Sequence, residues 1–234
     1  MILNNADNVM LGDIPVDKIY LGSEEIWSRG GGLPGNYQAV EYLQSTGTQY
    51  IDTGFRFDNY WKYEIEASLD DVNNNQMWGM KYWYEHSIYA YNNKYWAKGD
   101  QYVPSQNGVD TNISCTTKCK FTFDSVNKTC DITGDNIDQH YTWPSISPLS
   151  SIFKFVLFAC WTSWSDELDT YGQGKIYRFK LYQAISGDSS RELVADMIPC
   201  YRKSDDKPGM YDLVRQIFIT NSGTGEFTIG PMTN

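Results

Sequence analysis

A chain of 234 residues is long enough for one β-sandwich plus an appendage, and a formal charge of −10 sets most of its surface against nucleic acid and anionic membranes. No apolar run approaches the roughly 18 residues of a membrane span; the longest, Ile152–Cys160, contains Lys154. Aromatic residues make up 15% of the chain, with 18 Tyr and 8 Trp, more than core packing alone requires.

Met1–Asp7 lacks the basic region, apolar core and cleavage site of a secretory signal, so the expectation is synthesis in a cytoplasm without export by that route. Asn8–Leu11 reads as a short strand. Asp17–Trp27 reads as a tight hairpin, with Ile19 and Leu21 on one face and Ile26-Trp27 returning after a Gly-Ser turn. A β-element this small is marginal alone and must pack on something else. Ser28–Gly35, with three consecutive glycines, reads as a linker. The expected division is therefore residues 1–32 as hairpin and linker and 33–234 as the main domain.

Tyr37–Leu43 and Thr48–Asp52 read as strands about a Ser45-Thr46-Gly47 turn. Trp61–Leu69 alternates strictly, with Trp61, Tyr63, Ile65, Ala67 and Leu69 on one face and Lys62, Glu64, Glu66 and Ser68 on the other. Gln76–Met80 and His86–Tyr91 read as strands, Lys98–Asp110 as loop and Asn112–Lys118 as a further strand. Cys119–Asp124 and Thr129–Thr133 form an expected hairpin; Phe121 and Phe123 share one face, as do Cys130 and Ile132. Gly134–Pro148 reads as a polar loop, Ile152–Cys160 as a central strand and Trp161–Tyr171 as a loop. Lys175–Gln183 alternates with Tyr177, Phe179 and Leu181 inward. Glu192–Tyr201, Gly209–Asp212, Gln216–Thr220 and Glu226–Ile229 complete the chain. With almost no helical period, the expected fold class is all-β, a sandwich or barrel.

The five cysteines, an odd number with no Cys-x-x-Cys pair, read as buried thiols; Cys115 and Cys119 on one strand would be about 13 Å apart, too far to bridge. Glu64 and Glu66 are the only carboxylate pair suggesting glycosidase chemistry. Their outward face reads as solvated, so the chain is expected to be non-enzymatic. No cofactor is expected, although Asp70, Asp71, Asn73 and Asn75, or Asp131, Asp135 and Asp138, offer the oxygen ligands calcium takes. Trp78, Tyr82, Trp83, Tyr84, Tyr89, Tyr91, Tyr95 and Trp96 crowd one stretch beside Asn92 and Asn93, and Trp161 and Trp164 a second. Flat aromatics stack on the apolar faces of sugars while amides and carboxylates bond hydroxyls, and the same inventory suits a protein interface. The ligand-binding candidates are Trp83, Tyr84, Tyr91, Asn93, Trp96, Trp161 and Trp164.

Two blocks carry a family resemblance. The first is Leu33–Phe55, LPGNYQAVEYLQSTGTQYIDTGF. The second runs from KIYRFKLY at Lys175 through ELVADMIPCYR at Glu192 and GMYDLV at Gly209 to NSGTGEF at Asn221. Together they resemble the laminin-G-like, concanavalin-A-like domains of bacteriophage tail and surface proteins, gut phages especially. The Lys18–Ser23 stretch with Ile26-Trp27 resembles a short module near the ends of phage tail proteins. The resemblance implies a two-sheet antiparallel jelly roll. It also implies a virion structural protein, of the tail or another exposed appendage, displaying a lectin-like sandwich for host surface glycan or receptor. Ile19, Tyr20, Leu21 and Trp27 would then anchor it to other virion proteins, in several copies, with release by lysis. A purely architectural virion role, a glycoside hydrolase and a soluble bacterial lectin are the alternatives.

Overall fold

The computed structural model describes residues 10–11, 14–15, 18–22, 24–28, 32–56, 60–72, 75–81, 87–98, 109–143, 154–162, 167–184 and 191–233. All regular structure in these residues is β. The first 28 residues contribute β1 (Met10–Leu11), β2 (Ile14–Pro15), β3 (Lys18–Leu21) and β4 (Glu24–Ser28). β1 pairs with β2. β3 and β4 form the expected hairpin, Ile19 facing Trp27 and Tyr20 facing Glu25 across a register shift.

The next strands are β5 (Tyr37–Ala39), β6 (Leu43–Thr46), β7 (Ile51–Arg56), β8 (Lys62–Leu69), β9 (Asn75–Gln76), β10 (Met80–Lys81), β11 (Ser87–Tyr91), β12 (Lys94–Lys98) and β13 (Val109–Ser114). They are followed by β14 (Cys119–Asp124), β15 (Thr129–Gly134), β16 (Ile137–Thr142), β17 (Lys154–Leu157), β18 (Ala159–Thr162) and β19 (Leu168–Tyr171). The chain closes with β20 (Gln173–Ala184), β21 (Arg191–Arg202), β22 (Lys207–Asp212), β23 (Ile217–Thr220) and β24 (Thr228–Ile229).

One layer is a large sheet ordered β16-β15-β14-β8-β20-β21-β22-β23, with β6 and β24 beside the first half of β20 and β5 beside the second half of β21. The alternation of β8 sets its faces. Tyr63, Ile65 and Ala67 are fully buried, and β14 matches them with Phe121 opposite Ile65 and Phe123 opposite Tyr63. The second layer comprises β7-β17, β10-β18-β19 and β9-β11-β12-β13, joined by a bridge from Trp78 to Leu157. Between the layers, Phe155 packs on Tyr63 and Phe179 at 5.1 and 5.0 Å, and Phe121 packs on Trp78 and Tyr95 at 5.5 and 4.9 Å. Burying each such ring contributes roughly 1.5–3 kcal/mol. At one edge the Gln139 Nε2 donates to the Thr111 carbonyl, 3.1 Å, tying β16 to β13. The molecule is thus the expected antiparallel β-sandwich. Among the described residues one pairing is parallel, β10 with β18.

Several elements differ from the sequence reading for identifiable reasons. The strand expected at Thr48–Asp52 begins at Ile51, because Gln49 turns inward and its Oε1 accepts the Thr46 N–H at 2.9 Å. Tyr37–Leu43 splits in two where Val40 bridges Met232. Ile152–Cys160 breaks at Phe158, whose φ of 64° lets the chain leave β7 and join β19. The polar 134–148 stretch holds the edge strand β16: Ile137, Gln139 and Tyr141 face the sandwich and Asp138, His140 and Thr142 face out. The expected 161–171 loop carries parts of β18 and β19, and β12 was not expected as a strand. The strand expected at Asn112–Lys118 runs over Val109–Ser114 instead, so a turn separates Cys115 from Cys119. Tyr177 was expected inward. A bulge pairs Ile176 with Ala67 and Arg178 with Glu66, so Ile176 takes the buried place and Tyr177 turns toward Tyr42, 5.6 Å between rings.

All five cysteines are buried free thiols. Burial pushes Cys115 and Cys119 up to about 11 and Cys200 up to about 12, so they stay protonated at neutral pH.

Candidate functional site

The second layer places a run of aromatic and polar side chains on its outer face. β11 and β12 form a hairpin closed by Asn92-Asn93, both at positive φ (51° and 59°), the geometry of a two-residue type I′ turn. That turn fixes the register, and the register sorts the side chains. Ile88, Ala90, Tyr95 and Ala97 point into the core, and Ser87, Tyr89, Tyr91, Lys94 and Trp96 take the opposite face. The row directly across the sheet is Gln76, Tyr89, Trp96 and Asp110.

Trp96 is the centre of this face. Its ring lies 6.3 Å from Tyr89, nearly parallel, and 5.9 Å from Tyr91, edge-on. Tyr91 is 39% exposed. At one side Lys94 Nζ meets Asp110 Oδ2 at 3.1 Å. The Asn112 N–H, then Lys94, hold the Asp110 carboxyl below its usual range. Two polar atoms on this face are buried without a hydrogen-bond partner among the described residues: Trp96 Nε1 and Ser87 Oγ. Buried polar atoms are ordinarily paired, so these two carry a desolvation cost that the described residues do not offset.

The seven expected ligand residues fall into four groups. Tyr91 and Trp96 are brought together here. Asn93 is close by, but its Oδ1 accepts from Ser114 Oγ at 3.3 Å and its carbonyl accepts the Cys115 N–H at 3.2 Å; it anchors the hairpin to the end of β13. Trp161 lies on β18 with Lys154 over its ring at 5.5 Å, and Lys154 bonds Asp52 at 2.9 Å. Trp83, Tyr84 and Trp164 lie outside the described residues. From the same aromatic stretch, Trp78 and Tyr95 are core residues, fully buried. Tyr89, part of the same aromatic stretch but not among the seven, joins Tyr91 and Trp96, and Gln76, Ser87, Lys94 and Asp110 were missed. Period-two alternation outward from a two-residue Asn-Asn turn would have found the residues of β11 and β12.

The remaining candidates have other employment. Glu64 Oε2 meets Lys120 Nζ at 2.9 Å and Oε1 meets Lys62 at 3.6 Å. Burial raises its pKa, but Lys120, Lys62 and Lys180 outweigh burial and hold the carboxyl below its usual range. Such a group stays ionised and cannot serve as a general acid near neutral pH. Glu66 pairs with Lys118 at 3.4 Å. Of the first calcium candidate set, Asn73 lies outside the described residues. Asn75 is spent as a clamp, donating to the Asp70 and Gln173 carbonyls and accepting the Gln173 N–H. In the second, Asp131 Oδ1 meets His140 Nδ1 at 2.5 Å, and Asp138 stands opposite Thr133. Among the described residues no three His, Cys, Asp or Glu side chains cluster as a metal site.

No family model matches the sequence, and no curated protein does. Among solved structures, the chain is similar to one named "a putative carbohydrate binding protein" from Bacteroides ovatus, with a TM-score of 0.46 and 15% identity. The likeness covers 84% of this chain and spans 61% of that protein's length.

Proposed function

We propose that the protein is a non-enzymatic sugar-binding module of a bacteriophage particle, on the tail or another exposed appendage. The observation that carries the binding part is the outer face of β11 and β12. Trp96 offers an aromatic surface between two tyrosines, with an ion pair at its rim. A pyranose has an apolar C–H face for the ring and hydroxyls for the exposed Tyr91 hydroxyl and the Lys94–Asp110 pair. Glu64, held below the usual carboxylate range by its neighbouring lysines, is no general acid, which supports binding without turnover.

The particle part rests on the sequence resemblance and on the β3–β4 hairpin, a two-stranded element too small to be stable alone and so suited to docking on a neighbour. An architectural role, in contact with other virion proteins, is the second reading. It is favoured by Val214 and Ile217, exposed together at the turn into the edge strand β23. Deleting residues 1–32 should abolish incorporation into particles, measured by mass spectrometry of purified virions, while the rest of the chain stays folded. Normal incorporation would refute the anchor. On a glycan array the full chain should retain at least one neutral glycan, and a blank array would favour the architectural reading.

A further inference from the structure

The opposite face of the sandwich has a different character. On the outer surface of the large sheet, seven cationic side chains stand with four carboxylates across β8, β20, the start of β21, β14 and Lys118 just before it, in a chain whose formal charge is −10. Each carboxylate there is already matched. Glu64 has Lys120 and Lys62, Glu66 has Lys118, Asp124 has Arg191 at 2.9 Å, and Asp196 has Arg178 in a two-pronged bond of 2.8 and 2.7 Å with Lys180 at 3.9 Å. Lys175 adds a further charge. Two further acids of this face, Asp131 and Asp138, stand out on the edge strands β15 and β16.

Several of these cations are held in place. Lys175 Nζ sits 4.3 Å from the centre of the Tyr42 ring, Lys118 Nζ 4.2 Å from Tyr177 and Lys62 Nζ 5.2 Å from Tyr182. The tyrosines thus brace ammonium groups above the sheet, which lowers the entropy lost when those groups bind an anion. The Tyr177 support exists only because of the β20 bulge that turned this ring outward. The centre is a shallow recess of about 80 Å³ lined by Glu64, Glu66, Lys120, Arg178 and Lys180.

We infer that this face binds an acidic polysaccharide, one bearing repeated carboxylates or sulfates. Charge complementarity sets the sign of the partner. The nature of the surface sets its class. A protein interface is built around apolar or aromatic anchors, and here the ring faces of Tyr42, Tyr177 and Tyr182 are taken up by lysines, with none of the large exposed hydrophobic side chains on these central strands facing outward except at the margin. A hydrated, extended polyanion needs no such anchor. The site is separate from the Trp96 face and stands whether or not that face binds sugar.

The test is affinity electrophoresis of the full chain through gels containing polygalacturonate, with dextran as the neutral control. Polygalacturonate should retard the protein and dextran should not, and the affinity should fall about tenfold between 50 and 200 mM salt. Lys175→Gln with Lys180→Gln should weaken binding about tenfold. Glu66→Gln should strengthen it severalfold, a gain that a misfolded protein would not give. No retardation at 50 mM salt would overturn the inference, as would indifference to the lysine substitutions. Equal binding of a single-stranded DNA oligonucleotide would also overturn it, by showing an unselective response to negative charge.

Discussion

Replacing Asp212 with alanine should cost about 3–5 kcal/mol of unfolding free energy, because it strands a guanidinium whose counter-charge is fully buried. The Asp212 side chain is 0% exposed. Its Oδ1 accepts the Asp196 N–H at 3.1 Å and the Val214 N–H at 3.0 Å, and its Oδ2 accepts from Arg215 Nε. Arg215 continues across the sandwich, donating to the Thr53 carbonyl at 2.8 Å and lying 4.2 Å from the Phe55 ring. One carboxylate therefore orders β21, the turn after β22 and the link to β7 in the other layer. Urea unfolding of the Asp212→Ala protein measures the loss directly. A cost under about 1 kcal/mol would show that water replaces these bonds and that the clamp is not structural.

Gly174→Ala should be of similar size, about 3 kcal/mol or more, from two sources acting together. Gly174 has a φ of 140°, where a side chain is strained. A Cβ there would also stand 2.4 Å from the Ser68 carbonyl oxygen and 2.9 Å from Leu69 Cα. Those are backbone atoms of β8, and Gly174 is itself also paired to Ser45 of β6, so neither β8 nor β20 can withdraw without breaking a ladder. Thermal unfolding should show a large drop in midpoint or no cooperative transition. A near-native midpoint would mean that β20 shifts its register at little cost.

The sequence was most legible where both faces of a strand announce themselves. Trp61–Leu69 alternates without interruption, and the structure gives β8 that same inward set, with β14 and β15 completing the expected hairpin beside it. Legibility failed where a local feature changes the period. The β20 bulge shifts alternation by one residue, so Tyr177 was placed inward while Ile176 occupies the site. The turn at Phe158 divides an apolar run that composition alone presents as one strand. At the edge, β16 carries Asp138, His140 and Thr142 outward and reads as loop because only one of its faces is covered.

The candidate site was half legible for a related reason. Composition located the aromatic stretch but could not sort it. Tyr95 and Trp96 are adjacent, one fully buried and one on the outer face, and only the register set by Asn92-Asn93 separates them. Gln76 and Asp110 reach the same row through pairings with strands 13 or more residues away, which no local pattern encodes. The hairpin at Lys18–Ser28 was legible because its turn and its strands lie within a few residues of each other.

The most direct test of sugar binding at Trp96 is calorimetric titration of the best neutral glycan from the array into the native protein, Trp96→Ala and Trp96→Phe. Removing the ring should weaken binding about thirtyfold or more, the scale of an aromatic hot spot. Phenylalanine should restore the stacking surface and with it most of the affinity. Equal affinity for the native protein and Trp96→Ala, with both folded, would contradict the account and move the site off this face.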